Sequence, residues 1–397
     1  MNWIPTTINL ALLSAGVALA IPSIILLAEC AASWLARRRP TAKPSAARPS
    51  IAVLIPAHNE SLTISATLAA ATLQLAPNDR ILVVADNCTD DTAHLARLAG
   101  TDVLERFDTV NRGKGFALAA GIEHLRRLGP PDVLLLLDAD VAPPPAAIQT
   151  LANAAHLSGQ PVQAIYLLHA DQKPTPKSVV SELAFITKNL VRPLGLHNLG
   201  QPVLLTGTGI ALPWPVLASV DLASGDLVED MKLGLDLLRA GHPPALCPDV
   251  VIRGSLPDST RTAFTQRTRW EHGHLSVIKR FVPALLADAL RLRPGALAIA
   301  LDLLVPPLAL LVGLLVGLAA ISLGWAWMSS RWVSFAVAVG SLFVVGCAVA
   351  LAWLRGGRHL PLWNLLAVPF YVLWKIPMYL RFFAGRKQST WVRTDRV

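Results

Sequence analysis

The chain has 397 residues, of which 53% are hydrophobic and only 15% are charged, so it is more apolar than a typical soluble protein. Its 35 basic and 26 acidic residues give a net charge of +9, which indicates anchoring to anionic lipid or, for some of the charge, neutralisation of an anionic ligand such as a diphosphate. No basic stripe with interleaved aromatic residues stands out in the middle of the chain, which argues against nucleic-acid binding.

The first apolar stretch predicts a membrane anchor. Leu10 to Ala28 carries no charge over 19 residues, which is long enough to cross a hydrocarbon core. No basic residue precedes this stretch and Arg37 to Arg39 follow it, so we expect a retained anchor and not a cleaved signal peptide. The positive-inside rule then places the amino terminus outside and the middle of the chain in the cytoplasm.

Three further apolar stretches lie near the carboxyl terminus. Leu303 to Met328 and Trp332 to Leu354 are long enough to span a membrane. Leu360 to Trp374 runs for only 15 residues before Lys375 and contains two prolines, so we expect it to be interfacial or re-entrant. With three spans, the basic carboxyl-terminal tail lies on the same side as the middle of the chain.

These stretches divide the chain into three parts. Residues 1–40 are the anchor, residues 41–292 a cytoplasmic domain, and residues 293–397 a membrane region with a basic tail. Pro40 to Ser50 is rich in Pro, Ala and Ser and reads as a flexible linker. The four cysteines are far apart and form no Cys-x-x-Cys pair, so they read as reduced packing residues.

The middle of the chain alternates between short apolar runs and helical patterns. The runs predicted as buried strands are Ile51 to Pro56, Ile81 to Ala85, Val133 to Leu137 and Ala164 to Leu168. The segments with helical spacing between them are Leu62 to Leu73, Asp91 to Leu98 and Gly115 to Leu128. This pattern predicts an α/β domain with a mainly parallel sheet and helices on both faces.

Acidic residues stand where three of these strands end. Ligands of open α/β sheets bind outside the carboxyl ends of the strands. The first strand is followed by Asn59 and Glu60, the second by Asp86 and the acidic turn after it, and the third by Asp138-Ala139-Asp140. A purely structural turn would not require acids at three successive strand ends, so we expect a binding site there.

Asp138 and Asp140 predict a divalent cation. Side chains two residues apart on a strand point the same way, so this pair presents four carboxylate oxygens to one small volume. Such oxygens suit Mg²⁺ or Mn²⁺, which in turn bridge to substrate phosphates. The alternative is an ordinary turn, because Asp also starts turns and prolines follow at Pro143 to Pro145.

The chain has no Gly-x-Gly-x-x-Gly after the first strand and no P-loop motif, so a dinucleotide or P-loop phosphate site is unsupported. The segment Asn111 to Gly115 offers two cations and two glycines just before a helix. It predicts contact with a phosphate or a base, or else a simple helix-start loop.

Six motifs occur in a characteristic order: Asn59-Glu60, Asp86, Gly113-Lys114-Gly115, Asp138-Ala139-Asp140, Glu229-Asp230 and Gln266-Arg267-Thr268-Arg269-Trp270. This order resembles the membrane-embedded family 2 glycosyltransferases, among them cellulose synthases, hyaluronan synthases, poly-N-acetylglucosamine synthases and ceramide glucosyltransferases. The resemblance covers Ile51 to Lys279. It implies a GT-A type nucleotide-sugar-binding domain flanked by transmembrane helices.

The resemblance also implies roles on the donor side of the site. Glu60 and Asp86 would contact the base and ribose of a uridine nucleotide. Lys114 would lie near that nucleotide and Asp138 would help to hold it. Asp140 would ligate Mg²⁺ or Mn²⁺.

On the acceptor side, Asp230 would be the general base, with Glu229 in support. Gln266, Arg269 and Trp270 would line the place where the diphosphate and the acceptor sugar meet. Each has another explanation: a carboxylate at a helix start complements the helix dipole, Trp270 could dock on membrane or core, and Arg269 could form a surface ion pair.

The glycines of Leu204 to Gly209 carry a weaker signal. In the family, the corresponding region lies beneath the acceptor site. A bulge in a strand explains these glycines equally well.

The resulting hypothesis is an inverting, metal-dependent transfer of a hexose from UDP-glucose or UDP-N-acetylglucosamine to a glycan or lipid-linked acceptor. Exopolysaccharide or cell-envelope glycan synthesis, with an export or assembly partner, would be its setting. One alternative is transfer of a single sugar to a ceramide-like or hopanoid-like membrane lipid. Another is a catalytically silent membrane scaffold or transport component, although such a protein would have no chemical need for Asp140, Asp230 and Trp270 together.

Overall fold

The computed structural model describes residues 3–36, 47–169, 175–255 and 260–385. Arg37 to Arg39, most of the predicted linker and the basic tail from Arg386 onward lie outside the described residues.

Within the described residues, seven strands form one sheet in the order β3-β2-β1-β4-β6-β5-β7. The strands are β1 (Ile51–Ala57), β2 (Arg80–Asp86), β3 (Asp102–Arg106), β4 (Val133–Leu136), β5 (Val162–His169), β6 (Ile210–Pro213) and β7 (Ala245–Ser255). Strands β3, β2, β1 and β4 are parallel, β6 runs antiparallel to both of its neighbours, and β5 and β7 are parallel. The predicted α/β class and mainly parallel sheet are confirmed.

The four predicted strands are all present, but β3, β6 and β7 were not predicted. The first of these is short and only partly buried, as expected for an edge strand, so it lacks a continuous apolar run. Strand β6 has only four residues and ends in Pro213. Strand β7 pairs with β5 across a register shift at Ala164 and Ile165, which breaks a regular pattern.

Helices cover both faces of the sheet. They are α2 (Ile64–Thr72), α3 (Thr92–Leu98), α4 (Lys114–Leu128), α5 (Ala147–Ser158), α6 (Pro176–Ile186), α7 (Arg192–Asn198) and α8 (Glu229–Arg239). Alternate residues of β1 point to opposite faces, so Val53 packs in a core with α2 and α5, and Leu54 in a core with α4 and α8. Both cores are apolar, which is why the strands read as continuous hydrophobic runs.

The remaining helices form the membrane region and its junction with the sheet domain. They are α1 (Trp3–Ala32), α9 (Thr260–Leu290), α10 (Ala296–Leu304), α11 (Leu308–Ser329), α12 (Val333–Ala352) and α13 (Val368–Phe383). Four helical segments are long and apolar enough to cross a membrane: Pro5–Ala32, Leu308–Ser329, Val333–Gly357 and Leu362–Phe383. These segments fit the membrane association that the composition predicts.

Two details of the apolar stretches differ from the sequence prediction. The second stretch begins at Leu308 and not at Leu303, because Pro306 and Pro307 separate it from α10. The last stretch does not stop at Lys375, because the ammonium of this residue pairs with Glu271 of α9 and is buried. The helical segment therefore reaches 22 residues, and its interfacial position stays a prediction.

A buried ionic triad joins the first membrane helix to the sheet domain. Arg192 at the start of α7 donates to Glu29 of α1 at 2.6 Å and to Asp302 of α10 at 2.5 Å. All three side chains are buried. Loss of one member of such a group leaves a buried charge uncompensated, so the triad fixes where α1 and α10 sit against α7.

Candidate active site

The site lies at the edge of the sheet where the parallel strands β1, β2 and β4 end. His58 and Glu60 follow β1, and both are tied to the turn after β2. A ring nitrogen of His58 lies 2.6 Å from the carbonyl oxygen of Asp86, and the backbone N–H of Glu60 donates to the Thr92 hydroxyl at 2.8 Å. The first two acidic turns predicted from the sequence therefore form one connected surface.

Arg106, a residue that the sequence analysis did not single out, neutralises Asp86. Its guanidinium donates to a carboxylate oxygen of Asp86 at 2.6 Å, to Asp108 at 2.8 Å and to the carbonyl of Asn111 at 2.8 Å. Arg106 ends the unpredicted edge strand β3, so no sequence signal marked it. It orders the loop that leads to Lys114.

Lys114 connects the strand end to the centre of the site. Its ammonium donates to Asp138 at 2.5 Å and to the carbonyl of Gly207 at 2.7 Å, and lies 3.7 Å from Glu229. Burial alone would lower the pKa of Lys114, but the carboxylates of Asp138, Glu229 and Asp230 raise it above its usual value. Lys114 is therefore a fixed positive charge among acids.

The ammonium of Lys114 does not fully compensate the negative charge around Asp138. Burial raises the pKa of Asp138 and the nearby carboxylates of Asp140 and Asp230 add to the rise, against the opposing effect of Lys114. A further cation would relieve this repulsion. Carboxylate oxygens at the end of a buried strand are ligands suited to Mg²⁺ or Mn²⁺, so the residues present fit such an ion.

Gly207 leaves space beside these acids. A Cβ at this position would lie 3.6 Å from an Asp230 oxygen and 3.9 Å from an Asp138 oxygen, and the backbone φ of +77° also disfavours other residues. The predicted glycine segment therefore borders the site as an open cradle. It precedes β6 in chain order, so it is the approach to a strand, not a bulge within it.

Glu229 and Asp230 are the first two residues of α8. Burial raises the pKa of Glu229 to about 7, with Lys114 opposing and Asp230 adding to the rise. Asp230 has an oxygen beside the Gly207 cradle. The two acids therefore differ in environment: Glu229 is held near Lys114, and Asp230 faces the space at Gly207.

The pentapeptide on α9 divides between two faces of the helix. On one face, Arg267 donates to Ser181 of α6 at 2.5 Å, and Glu271 one turn later binds Lys375 of α13. On the other face, Gly273 packs so closely that a Cβ there would lie 2.6 Å from Val228, the residue before Glu229. Because residues three or four apart share a helix face, the same geometry turns Arg269 toward the start of α8.

Arg269 and Trp270 have different surroundings. The Nε of Arg269 is buried without a hydrogen-bond partner among the described residues, so it is a donor available to a ligand. Arg269 also opposes the pKa rise of Glu229. The ring of Trp270 lies 5.7 Å from that of Phe185 of α6, in a tilted contact.

Two more features near the site escaped the sequence analysis. A Cβ on Gly115 would lie 2.5 Å from the carbonyl oxygen of Ser224, so the loop before α8 closes over the start of α4. Lys188 lies in a π-helical turn, Thr187–Val191, of the kind often found at functional sites. Burial lowers the pKa of Lys188, and the Asp230 carboxylate opposes this effect.

The structure thus brings Lys114, Asp138, Glu229 and Asp230 into one cluster. It places Glu60 and Asp86 along the same sheet edge, and Asp140 two residues beyond Asp138. Gln266 shares α9 with Arg269 and Trp270. The individual roles of these residues remain predictions.

The raised pKa of Glu229 predicts a pH dependence of stability. Between about pH 4.5 and 7 the folded protein keeps this carboxyl protonated whereas the unfolded chain ionises it. The free energy of unfolding should therefore fall as pH rises, by about 1.4 kcal/mol per pH unit of this window. Glu229→Gln removes the effect, so the Tm of this variant relative to the wild type should be higher at about pH 8 than at about pH 5. Thermal unfolding in detergent checks this, and equal Tm differences at both pH values would contradict it.

Comparison with known proteins agrees with the geometry. The family model described as "Glycosyltransferase like family 2" matches residues 49–273. The Bacillus subtilis (strain 168) protein named "Probable glycosyltransferase YdaM" is 26% identical over 250 residues, and the match covers 59% of this chain and 57% of that protein. The chain thus spans less than two thirds of that relative's length.

A solved structure shares the fold over nearly the whole chain. It is the mannosyltransferase PcManGT from Pyrobaculum calidifontis in complex with GDP-Man and Mn²⁺. The two proteins are 18% identical, the match covers 95% of this chain and 100% of the other, and the TM-score is 0.55. The chain therefore has a GT-A type fold.

Proposed function

Because this chain belongs to glycosyltransferase-like family 2, we propose that it transfers a hexose from a nucleotide sugar to a membrane-proximal acceptor, with inversion at the transferred carbon. The observation that carries this proposal is the cluster of Lys114, Asp138, Glu229 and Asp230 around the Gly207 cradle. It supplies a base and a diphosphate-binding edge in one small volume.

The donor side follows from the charges. Asp138 and Asp140 would hold Mg²⁺ or Mn²⁺, which when bound stabilises the negative charge of the departing diphosphate. Arg269, with its unpartnered Nε, would donate to the diphosphate from the α9 side. Glu60 and Asp86 line the strand ends where the base and ribose would lie.

The acceptor side follows from the environment of Asp230. Inversion needs a base on the acceptor face, opposite the leaving group. The Asp230 oxygen beside Gly207 would take the proton of the acceptor hydroxyl as that oxygen bonds to the sugar carbon and the diphosphate leaves. Glu229, held near Lys114, would position this group.

The acceptor would be a glycan or a lipid-linked sugar. The buried triad holds α1 and α10 against α7, and Lys188, one turn before Arg192, interacts electrostatically with both Asp230 and Asp302, so the site lies close to these helices. The sheet domain would face the cytoplasm, where the predicted orientation places it. Export of a polymer would need a partner, whereas a single transfer to a membrane lipid would not.

The donor is a UDP-hexose in this proposal, as the sequence motifs suggest. GDP-mannose is the second candidate, because the structural relative that covers nearly the whole chain was solved with GDP-Man.

One assay tests donor and acceptor together. The purified chain is incubated in detergent with a panel of radiolabelled UDP-hexoses and GDP-mannose, Mg²⁺ or Mn²⁺, and a membrane lipid extract. We expect label to enter lipid or polymer from one donor of the panel, and the size of the product reports single or repeated transfer. The Asp230→Asn variant serves as the negative control for transfer. Transfer from no donor, by a protein that binds none of them, would overturn the proposed activity in favour of a silent scaffold.

A further inference from the structure

A second cluster of metal-ligand side chains shares no residue with the acidic cluster. His169 is the last residue of β5, Glu182 lies on α6, and His359 follows the π-helical turn that ends α12. These three residues come from parts of the chain up to 190 positions apart. They meet where the membrane helices contact the sheet domain, since Leu183 of α6 packs against Gly357.

The ligand atoms converge on one point. Nδ1 of His169 lies 3.0 Å, and Nε2 of His359 2.9 Å, from the same oxygen of Glu182. One ligand atom from each residue lies within 4.8 Å of the others. Tetrahedral Zn²⁺ with bonds of about 2.0–2.2 Å separates its ligand atoms by roughly 3.4 Å, so each histidine nitrogen would move away from the Glu182 oxygen by only about half an ångström to admit an ion.

The burial and chemistry of the cluster also suit a metal. Glu182 is 4% exposed, whereas the two imidazoles reach solvent, so an ion could enter from the surface. The other ring nitrogen of His169 is buried without a hydrogen-bond partner among the described residues, so the contact of Nδ1 with Glu182 orients the ring. Two imidazoles and one carboxylate favour Zn²⁺ over Mg²⁺, which prefers oxygen ligands.

We propose that His169, Glu182 and His359 form a zinc site that fastens the turn after α12 to the catalytic domain. The site leaves a fourth position for water. Glu182 is three residues before Phe185, whose ring contacts Trp270, so the bound ion would also fix the helix that supports the acceptor side. The three ligands include no residue of the acidic cluster, and zinc binding by them does not depend on the proposed function.

Zinc titration of the full chain tests the proposal. The protein, without a polyhistidine tag, is stripped with EDTA, returned to detergent buffer with excess Mg²⁺ to occupy the acidic edge, and titrated with Zn²⁺ by calorimetry. We expect one Zn²⁺ per chain and a Tm that rises with Zn²⁺. His359→Ala and His169→Ala should each weaken binding by at least 10-fold, since even outer-shell changes cost about 10–100-fold.

His94→Ala is the matched control, because His94 is an exposed imidazole on α3. Its zinc affinity should equal that of the wild type. Circular dichroism and gel filtration establish that each variant is folded, and the two histidines lie on different elements, so one misfolded variant leaves the other as the test. Co²⁺ should give the visible absorption of a tetrahedral site in the wild type only. Zinc binding that is absent in the wild type, or unchanged in a folded His359→Ala or His169→Ala protein, would overturn the proposal.

Discussion

Replacing Asp230 with Asn should lower kcat for sugar transfer by about 10²–10⁴-fold, the usual contribution of a general base. The amide keeps the shape of the carboxylate but cannot take the proton of the acceptor hydroxyl. Donor binding should stay close to that of the wild type, because the proposed diphosphate contacts lie on Asp138, Asp140 and Arg269. Single-turnover transfer and nucleotide binding, measured on the same preparation, separate the two effects.

Asp236→Asn is the matched control for this result. Asp236 lies on the same helix and pairs with Lys232 at 2.7 Å in a partly exposed ion pair, whose loss costs little. Its activity should equal that of the wild type. A wild-type rate in Asp230→Asn would remove this residue from the role of base and turn attention to Glu229.

Replacing Asp140 with Asn should remove most of the metal activation of the enzyme. The stabilisation of the leaving diphosphate by a bound cation contributes several kcal/mol, and each 1.4 kcal/mol corresponds to tenfold in rate. We therefore expect kcat/KM to fall by about 100-fold or more, and the concentration of Mg²⁺ or Mn²⁺ needed for half-activation to rise. Rates measured over a cation titration, with EDTA as the zero point, give both quantities.

Asp132→Asn is the matched control for this result, because Asp132 flanks the same strand, β4, at its other end. Asp132 precedes β4 at the opposite edge of the sheet, where its carboxylate accepts a hydrogen bond from the backbone of Ser50 at 2.8 Å. Its cation dependence should match the wild type. If Asp140→Asn and the wild type share one cation-activation curve, Asp140 is not a metal ligand.

Much of the fold followed from local patterns. The apolar runs of β1, β2, β4 and β5 are buried on both faces, so each had a continuous signal of its own, and the acids after them marked the edge of the site. The spans in α1, α11 and α12 were predicted for a similar reason. Length without charge is enough to identify a helix that can cross a membrane.

The missed elements lacked such a signal. Strand β3 is partly exposed, so its residues alternate only weakly, and nothing in the sequence marked Arg106 at its end. Lys375 looked like the end of an apolar stretch because its partner, Glu271, lies more than 100 residues away. The sequence analysis judged each of these residues by its neighbours in the chain.

By itself, the sequence determined the class of the sheet domain, its apolar helices and the order of the acidic and basic motifs, because these depend on the burial and spacing of adjacent residues. Only the tertiary structure decided that Lys114 pairs with Asp138 and the Gly207 carbonyl, which face of α9 turns to the site, and that His359 meets Glu182. These contacts join residues from 24 to 177 positions apart. The physical reason is that such partners are selected by the packing of whole elements, which no local pattern records.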